Sequence, residues 1–445
     1  MDRDGREELA RRALSFAPSG QVEVLVLDGD RALTRFTHNA IHQNLADRST
    51  TVRFRIVRDG KSGMASTSAR DDASLREAAN RAASLAEHAP FDRIYPGLPK
   101  PRPLPPAPDR AYVPATAEAS PDARAAIAKH IFETAQTAGL WAAGFVETSR
   151  TGLTVANSNG VLASFEGTDC GANVKQNGVE ASGFAERFDT DVATLDGTRL
   201  GSIAAAKAVH AGTPQPVEPG PWTVVFEPAA FGELLAYLLD HFSARSYDEG
   251  SSFISGVHGL QHKYVGENIT LLDDYANPYA PGMPFDYEGA PKKRVRLFDR
   301  GVATHVVSDA YWGRKVGCDN TGHAPLVPGS GPMPQNAVLE PGPKSLEQLI
   351  AETDRGLLVT RLWYIRPVDR RKTIVTGMTR DGTFLIEKGK IARGVRNMRF
   401  NQSILEMLGE AEIASGPART ASFNYSLVTP GAKVAEFQFT STTDF

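Results

Sequence analysis

Only two cysteines, Cys170 and Cys318, occur in 445 residues, and they lie far apart in sequence. Two thiols cannot make a disulfide framework or a thiolate zinc site, and their scarcity fits a reducing, cytoplasmic compartment. Neither sits in the motif of an activated nucleophile, so both are expected to be buried structural thiols. Long apolar runs are missing as well, since nothing approaches the roughly 18 residues that span a membrane. The opening MDRDGREELARRALSFA reads as a charged amphipathic helix without the apolar centre of a signal peptide. Neither sign of charge dominates: 49 Lys and Arg stand against 52 Asp and Glu, a formal net charge of −3. No bulk field therefore draws nucleic acid or anionic lipid. The densest basic cluster, Lys292-Lys293-Arg294 with Arg296, has Asp286 and Glu288 nearby and is expected to be a solvated strand face.

Familiar catalytic signatures are absent too. There is no G-x-S-x-G elbow, Walker loop or G-x-G-x-x-G fingerprint. None of the ten histidines is followed by Glu, so neither H-E-x-x-H nor H-E-x-x-x-H occurs. That removes the commonest way for a helix to present two zinc ligands and a general base together.

What is present is a balanced globular composition, 41% hydrophobic and 23% charged, long enough for two or three domains. Residues 1–95 read as a helix–sheet–helix module. A helix over 5–15 precedes strands at Val22–Leu27, Ala32–Phe36 and Thr51–Val57 and a short fourth strand, with turns at Gly29-Asp30 and Asp59-Gly60; a helix over 74–88 follows. Residues 96–114 are proline-rich, which favours a semi-rigid connector, although PxxP spacing would also suit an SH3-type ligand. Residues 115–212 repeat the order: a helix capped by Ser120 with Pro121 at its first position, strands at 141–148, 151–157 and 161–166, then a helix over 195–210. The order echoes the first module although the residues do not, so an old duplication is one reading. A second linker, 213–221, leads to a β-rich part, 222–445, read as a sandwich or barrel, with helical pieces at 228–241, 345–353 and 402–408 and a long irregular loop over 325–343. The fold class expected is α+β.

Two histidine pairs remain. His258 and His262 in HGLQH have the spacing of two ligands on one helical face, but Gly259 and the flanking residues favour a loop, and catalytic zinc needs a third protein ligand. An incidental pair is the reading set against a metal site. His38 and His42, in RFTHNAIHQN, share one side of an expected strand and read as polar rim residues.

Several long strings, in order, resemble the TldD/PmbA family, also described as modulators of DNA gyrase and regarded as peptidases. They are RFTHNAIHQN (35–44), VEPGPWTVVFEPAAFGELL (217–235), YDEGSSFISG (247–256), PFDYEGAPKKRVRLFDRGV (284–302), GCDNTGHAP (317–325), WYIRPVDRRKTIVTGMTRDGTFLIEKGKI (363–391) and RNMRFNQSILEML (396–408). The resemblance implies a pair of related subunits, a TldD type holding zinc and a PmbA/TldE type without it. It aligns the zinc helix of the TldD type with ELLAYLLDH (233–241), putting Ala236 at the first ligand, Tyr237 at the general base and His241 at the second ligand. The tail ARTASFNYSLVTPG (418–431) lacks the cysteine ligand of the TldD type. This chain is therefore expected to hold no zinc and no cofactor, and to have no catalytic residue of its own. It would pair with a TldD-type zinc subunit to cleave extended peptides, or form a homodimer when alone. Two alternatives stay open: an autonomous hydrolase with a rebuilt site from Asp240, His241, His258 and His262, and a stand-alone peptide-binding or biosynthetic accessory protein.

Overall fold

Helices in the N-terminal half start where a side chain can take up an N–H that the helix leaves unpaired. In the computed structural model, which describes residues 1–18, 20–421 and 426–443, Asp2, Asp71, Ser120 and Asp196 each accept from the backbone N–H three residues on. They begin α1 (Arg3–Ser15), α2 (Asp72–His88) and, after a single-turn α3 (Pro114–Ala117), α4 (Pro121–Thr137) and α5 (Gly197–Ala211). Six strands accompany them: β1 (Gln21–Thr37), β2 (Ala40–Arg58), β3 (Lys61–Thr67), β4 (Trp141–Asn157), β5 (Leu162–Asn177) and β6 (Ser182–Asp189). All pair antiparallel in one sheet ordered β3-β2-β1-β4-β5-β6.

That order is the same plan read outward from the centre twice, and particular residues repeat with it. Arg6 in α1 and Arg124 in α4 lie four residues after their caps, and both are fully buried. Each donates to the backbone oxygen just before its cap, that of Met1 and of Ala119. Gly63 in β3 and Gly183 in β6 let α2 and α5 lie directly on the sheet. A Cβ would stand 2.2 Å from the Ala82 oxygen in the first case and 2.1 Å from the Ala204 oxygen in the second. The two helix–sheet–helix modules thus share one sheet, joined where β1 pairs with β4.

Several sequence expectations need correcting here. The expected breaks at Gly29-Asp30 and at 149–150 do not exist, because β1 and β4 run straight through them. Gly29 pairs with Ser49 on one side and Thr151 on the other, so two neighbours hold extended a backbone that turn residues alone would bend. The tight turns are His38-Asn39 and Asp59-Gly60, with positive φ at all four residues (50°, 58°, 47° and 73°), as two-residue hairpins require. His38 is therefore a turn residue stacked on Trp141 at 4.3 Å, not a strand neighbour of the exposed His42.

The C-terminal part begins with β7 (Gly220–Phe226), which takes in Gly220 and Pro221, and α6 (Pro228–Leu239). Then come β8 (His262–Lys263), β9 (Leu271–Asp273), β10 (Val295–Asp299), β11 (Val302–Ala303), β12 (Asn336–Leu339) and β13 (Arg355–Val359). They are followed by β14 (Leu362–Asp369), β15 (Ile374–Thr379), β16 (Thr383–Glu387), β17 (Lys390–Gly394) and β18 (Met398–Ser403). The last are β19 (Glu412–Ile413), β20 (Ala418–Ala421), β21 (Ser426–Thr429) and β22 (Ala432–Thr442). One sheet is ordered β20-β21-β12-β9-β10-β11-β8; the larger is β14-β15-β18-β22-β7-β13-β16-β17, with β19 on β22. Both sheets and α6 contribute to one apolar core, which includes Phe226, Phe231, Leu238, Phe298, Leu339 and Phe437. The molecule is α+β, with helix–sheet modules first and a large β-rich region after them. Among the described residues no helix is long and apolar enough to cross a membrane.

The stretch 325–343, expected to be irregular, contains β12, an internal strand between β21 and β9. Four buried residues among prolines are too short a run to announce a strand. Lys292 is not on a solvated face either. It is 4% exposed, its Nζ donates to Gln335 Oε1 at 2.6 Å, and only Lys293, Arg294 and Arg296 reach solvent. Cys170 is buried, but Cys318 is exposed.

Candidate functional site

The residues of α6 divide by helical spacing. Ala230, Phe231, Leu234, Leu235, Leu238 and Leu239 are buried, and Gly232 lets the helix press on β20, where a Cβ would meet Thr420 Oγ1 at 2.5 Å. The remaining stripe is Glu233, Ala236, Tyr237 and Asp240, all half-buried, at the i, i+3, i+4, i+7 spacing of one face. Ala236 and Tyr237, two of the three positions picked out by the resemblance, are thus side by side on this stripe. His241 is not with them.

His241 lies in a 3-10 turn after α6, 3% exposed. Its Nδ1 accepts the Phe253 N–H at 3.3 Å, and its ring packs 5.3 Å from that of Phe253. Burial, reinforced by Arg370 and opposed by Asp240, lowers its pKa to about 4, so the imidazole is neutral near pH 7. His258 and His262 stack on each other at 4.1 Å, but Phe253 and Tyr264 stand between them and His241. Asp240 instead pairs with Arg370. Among the described residues no three His, Cys, Asp or Glu side chains gather where they could hold a metal ion. The donor set therefore does not fit zinc. Part of the tail aligned with the cysteine ligand, 422–425, lies outside the described residues.

What faces the α6 stripe is a basic and aromatic edge strand. The Tyr237 hydroxyl donates to the Ile365 oxygen at 2.7 Å, tying α6 to β14. β14 is the last strand of its sheet, with register shifts between Trp363 and Arg366 and again between Pro367 and Asp369. Tyr364 has φ 57°, and Trp363, Tyr364 and Val368 are exposed. Bulges, a proline and charge on an edge strand oppose indiscriminate strand pairing. Arg361 lies over Phe184 at 4.6 Å and Trp363 at 5.0 Å, and its Nη1 holds Asp381 at 2.8 Å. Burial raises Glu233 to a pKa of about 8, although Arg361 pulls the other way; Glu186 adds to the rise.

Sequence reasoning missed Glu233, Arg361 and Asp381. Only the crowding of Arg with Trp and Tyr in the string 361–371 hinted at them. Conversely, some strings that carry the resemblance serve architecture. Phe285 of PFDYEGAP inserts fully buried against Leu25, Leu153 and Val155 of the N-terminal sheet, while Asp286 accepts from the N–H groups of Glu288, Ala290 and Ala324. His323 of TGHAP is fully buried, with Nε2 3.0 Å from Asp273.

The chain matches the PmbA/TldA metallopeptidase C-terminal domain over residues 219–441 and domain 1 of the same metallopeptidases over residues 22–86. The metalloprotease PmbA homologue of Haemophilus influenzae is 25% identical over 219 residues, a stretch that is 47% of this chain and 44% of that relative's length. TldE from Thermococcus kodakarensis superposes with a TM-score of 0.86 at 23% identity, covering 98% of this chain and 99% of that one. A protein described as a modulator of DNA gyrase from Thermotoga maritima gives 0.86 at 18% identity over 98% of this chain and 100% of its own. Another so described, from Bacteroides thetaiotaomicron, gives 0.82 at 20% identity over 99% and 100%. With half of its length matched by the C-terminal domain, and the same architecture from end to end, the chain belongs to the PmbA/TldD metallopeptidase family.

Proposed function

We propose that this chain is the zinc-free, TldE/PmbA-type subunit of a heteromeric TldD/TldE peptidase that cleaves unstructured peptides in the cytoplasm. The observation that carries the reading is the α6 stripe. Where the resemblance places a ligand and a general base there are a methyl group and a phenol already bonded to Ile365, and the aligned histidine is turned into the core. A catalytic zinc needs three protein ligands and a base for its water, and this arrangement offers neither. Zinc, and with it the hydrolytic step, would belong to the TldD-type partner. This chain would hold the peptide and complete the enclosure, with β14 and its exposed Trp363, Tyr364 and Val368 beside α6 as the surface at hand.

The test is reconstitution. Purified alone and dialysed without chelator, the chain should carry well under one zinc per molecule and leave an unstructured peptide uncut. Mixed with a TldD-type subunit it should give chelator-sensitive cleavage that neither has alone. Cleavage by this chain alone, or a partner indifferent to its presence, would overturn the reading.

A further inference from the structure

We propose that the proline-rich segment 99–110 is a docking site for a partner that reads a polyproline helix, with Lys100, Pro103 and Pro106 as its contacting residues. Such a partner offers a groove lined by aromatic side chains for a PxxP segment and, beside it, a carboxylate for a cation. The segment sits by the β4–β5 turn, where Asn157 and Asn159 hold its start, and shares no residue with the α6 stripe. The inference is therefore independent of the subunit reading above.

Both ends of the segment are clamped. Leu98 is buried, its N–H donates to Gln21 Oε1 at 2.9 Å, and the Pro99 oxygen accepts from Asn157 Nδ2 at 2.9 Å. At the far end Ala111 is buried, and its oxygen accepts the Thr168 N–H at 2.9 Å. Between the clamps, from Lys100 to Ala107, no group makes a hydrogen bond or an ion pair among the described residues. Chain that is half proline and free of internal hydrogen bonds takes up the polyproline helix, with three residues to the turn. Burial follows that period. Pro99, Pro105 and Pro108 lie on one edge and are half-buried, with Arg102 on the same edge reaching solvent. The edge of Lys100, Pro103 and Pro106 is exposed throughout.

The fold selects one frame among several. PxxP recurs in this stretch with a cation three residues ahead: Arg93–Pro96–Pro99, Lys100–Pro103–Pro106 and Arg102–Pro105–Pro108. In the first frame both prolines are half-buried around the buried Leu98, and in the third both prolines are half-buried again. The second has its cation and both prolines in solvent. Lys100 and Arg102 make no ion pair among the described residues, whereas Arg110, at the end of the segment, is already on Asp189 at 3.1 Å. Two unpaired cations so close together fit an acidic pocket in the partner. Leu104, 37% exposed, adds an apolar side chain beside the prolines. The clamps and the proline rings hold the segment extended before a partner arrives, so docking costs little ordering entropy. Joining the two modules calls for the clamps and the inward prolines; it gives no role to an exposed row of Lys100, Pro103 and Pro106.

The probe is an isolated SH3 domain that selects a cation three residues ahead of PxxP, titrated calorimetrically into the full chain. Micromolar binding is expected, and it should be lost when the carboxylates lining the domain's cation pocket are changed to amides. Pro103→Ala, Pro106→Ala and Lys100→Glu should each weaken binding by about tenfold, while Pro105→Ala and Pro108→Ala should change it by about twofold at most. Circular dichroism spectra and melting temperatures should show the variants folded. A domain that does not bind the chain overturns the proposal, as does one that binds every variant equally. So does binding that depends on Pro105 and Pro108 in place of Pro103 and Pro106, or that ignores the loss of the pocket carboxylates.

Discussion

Glu233 and His241 sit eight residues apart, and burial moves their pKa values in opposite directions, each suppressing its own charge. The Glu233 carboxyl titrates at about 8 in the folded protein against 4.5 for an ordinary glutamate. Between those values the folded chain keeps a proton that the unfolded chain has lost, so this contribution to stability declines as pH rises from 4.5 through about 8. Glu233→Gln should therefore leave the melting temperature unchanged at pH 5 and raise stability at pH 8.5 by roughly 1–3 kcal/mol. Superimposable stability–pH curves for variant and wild type would show that the carboxyl is not protonated in α6. His241 gives the complementary loss. With a folded value near 4 against 6.5, the unfolded chain binds the extra proton, and stability falls as pH drops from 6.5 towards 4. His241→Gln should flatten that acid limb in urea denaturation series, at some cost in overall stability because the Phe253 N–H loses a well-placed acceptor.

At the scale of elements, the paired glycines are the sharpest test of how the modules are built. Gly63→Ala and Gly183→Ala each force a methyl group against helix backbone, at 2.2 Å and 2.1 Å, where no flexible side chain can give way. Each should cost about 3 kcal/mol by equilibrium unfolding. Gly29→Ala should be nearly neutral, because a Cβ there meets nothing nearer than the Arg150 oxygen at 3.8 Å and β1 is continuous. A large loss at Gly29 would mean that the chain bends there after all. These positions also mark what could be read in advance. Helices showed themselves through capping residues and Ala/Leu periodicity, since those signals are local. The true lengths of β1 and β4 did not, because extension at Gly29 is imposed by Ser49 and Thr151, which are distant in sequence. The repeated plan was visible as an order of elements. Its residue-level signature, Arg6 with Arg124 and Gly63 with Gly183, is too sparse to detect without the sheet that aligns it. At the candidate site, Ala236 and Tyr237 were found through a family pattern, whereas Glu233, Arg361 and Asp381 become a group only when α6, β14 and the 380–383 turn meet.

A plug and an ion network form one junction between the two regions; Lys175 and Ser182 on Asp381, and Lys207 on Glu227, form another. Phe285 enters the N-terminal sheet, and beside it Arg55 donates to Glu23 of β1 at 2.7 Å and to Glu288 of the C-terminal part at 2.7 Å. Arg53 reaches the Leu326 oxygen from the same strand. Glu23 is 1% exposed and Arg55 8% exposed, so these charges persist only because each has a partner. Removing one partner from such a network leaves the others buried and unpaired, which costs about 3–5 kcal/mol, whereas removing all the charges together costs far less. Arg55→Leu should thus destabilise strongly, and the triple variant Glu23→Leu, Arg55→Leu, Glu288→Leu should recover much of the loss. The network should also contribute to the two regions unfolding together. With it intact, calorimetry should show one transition. In Arg55→Leu the N-terminal sheet should melt first, exposing the 283–288 segment to protease while the C-terminal core stays folded. Unchanged cooperativity in Arg55→Leu, with no early cleavage near Phe285, would show that the apolar plug and the junction at Asp381 and Glu227 couple the regions without help from this network.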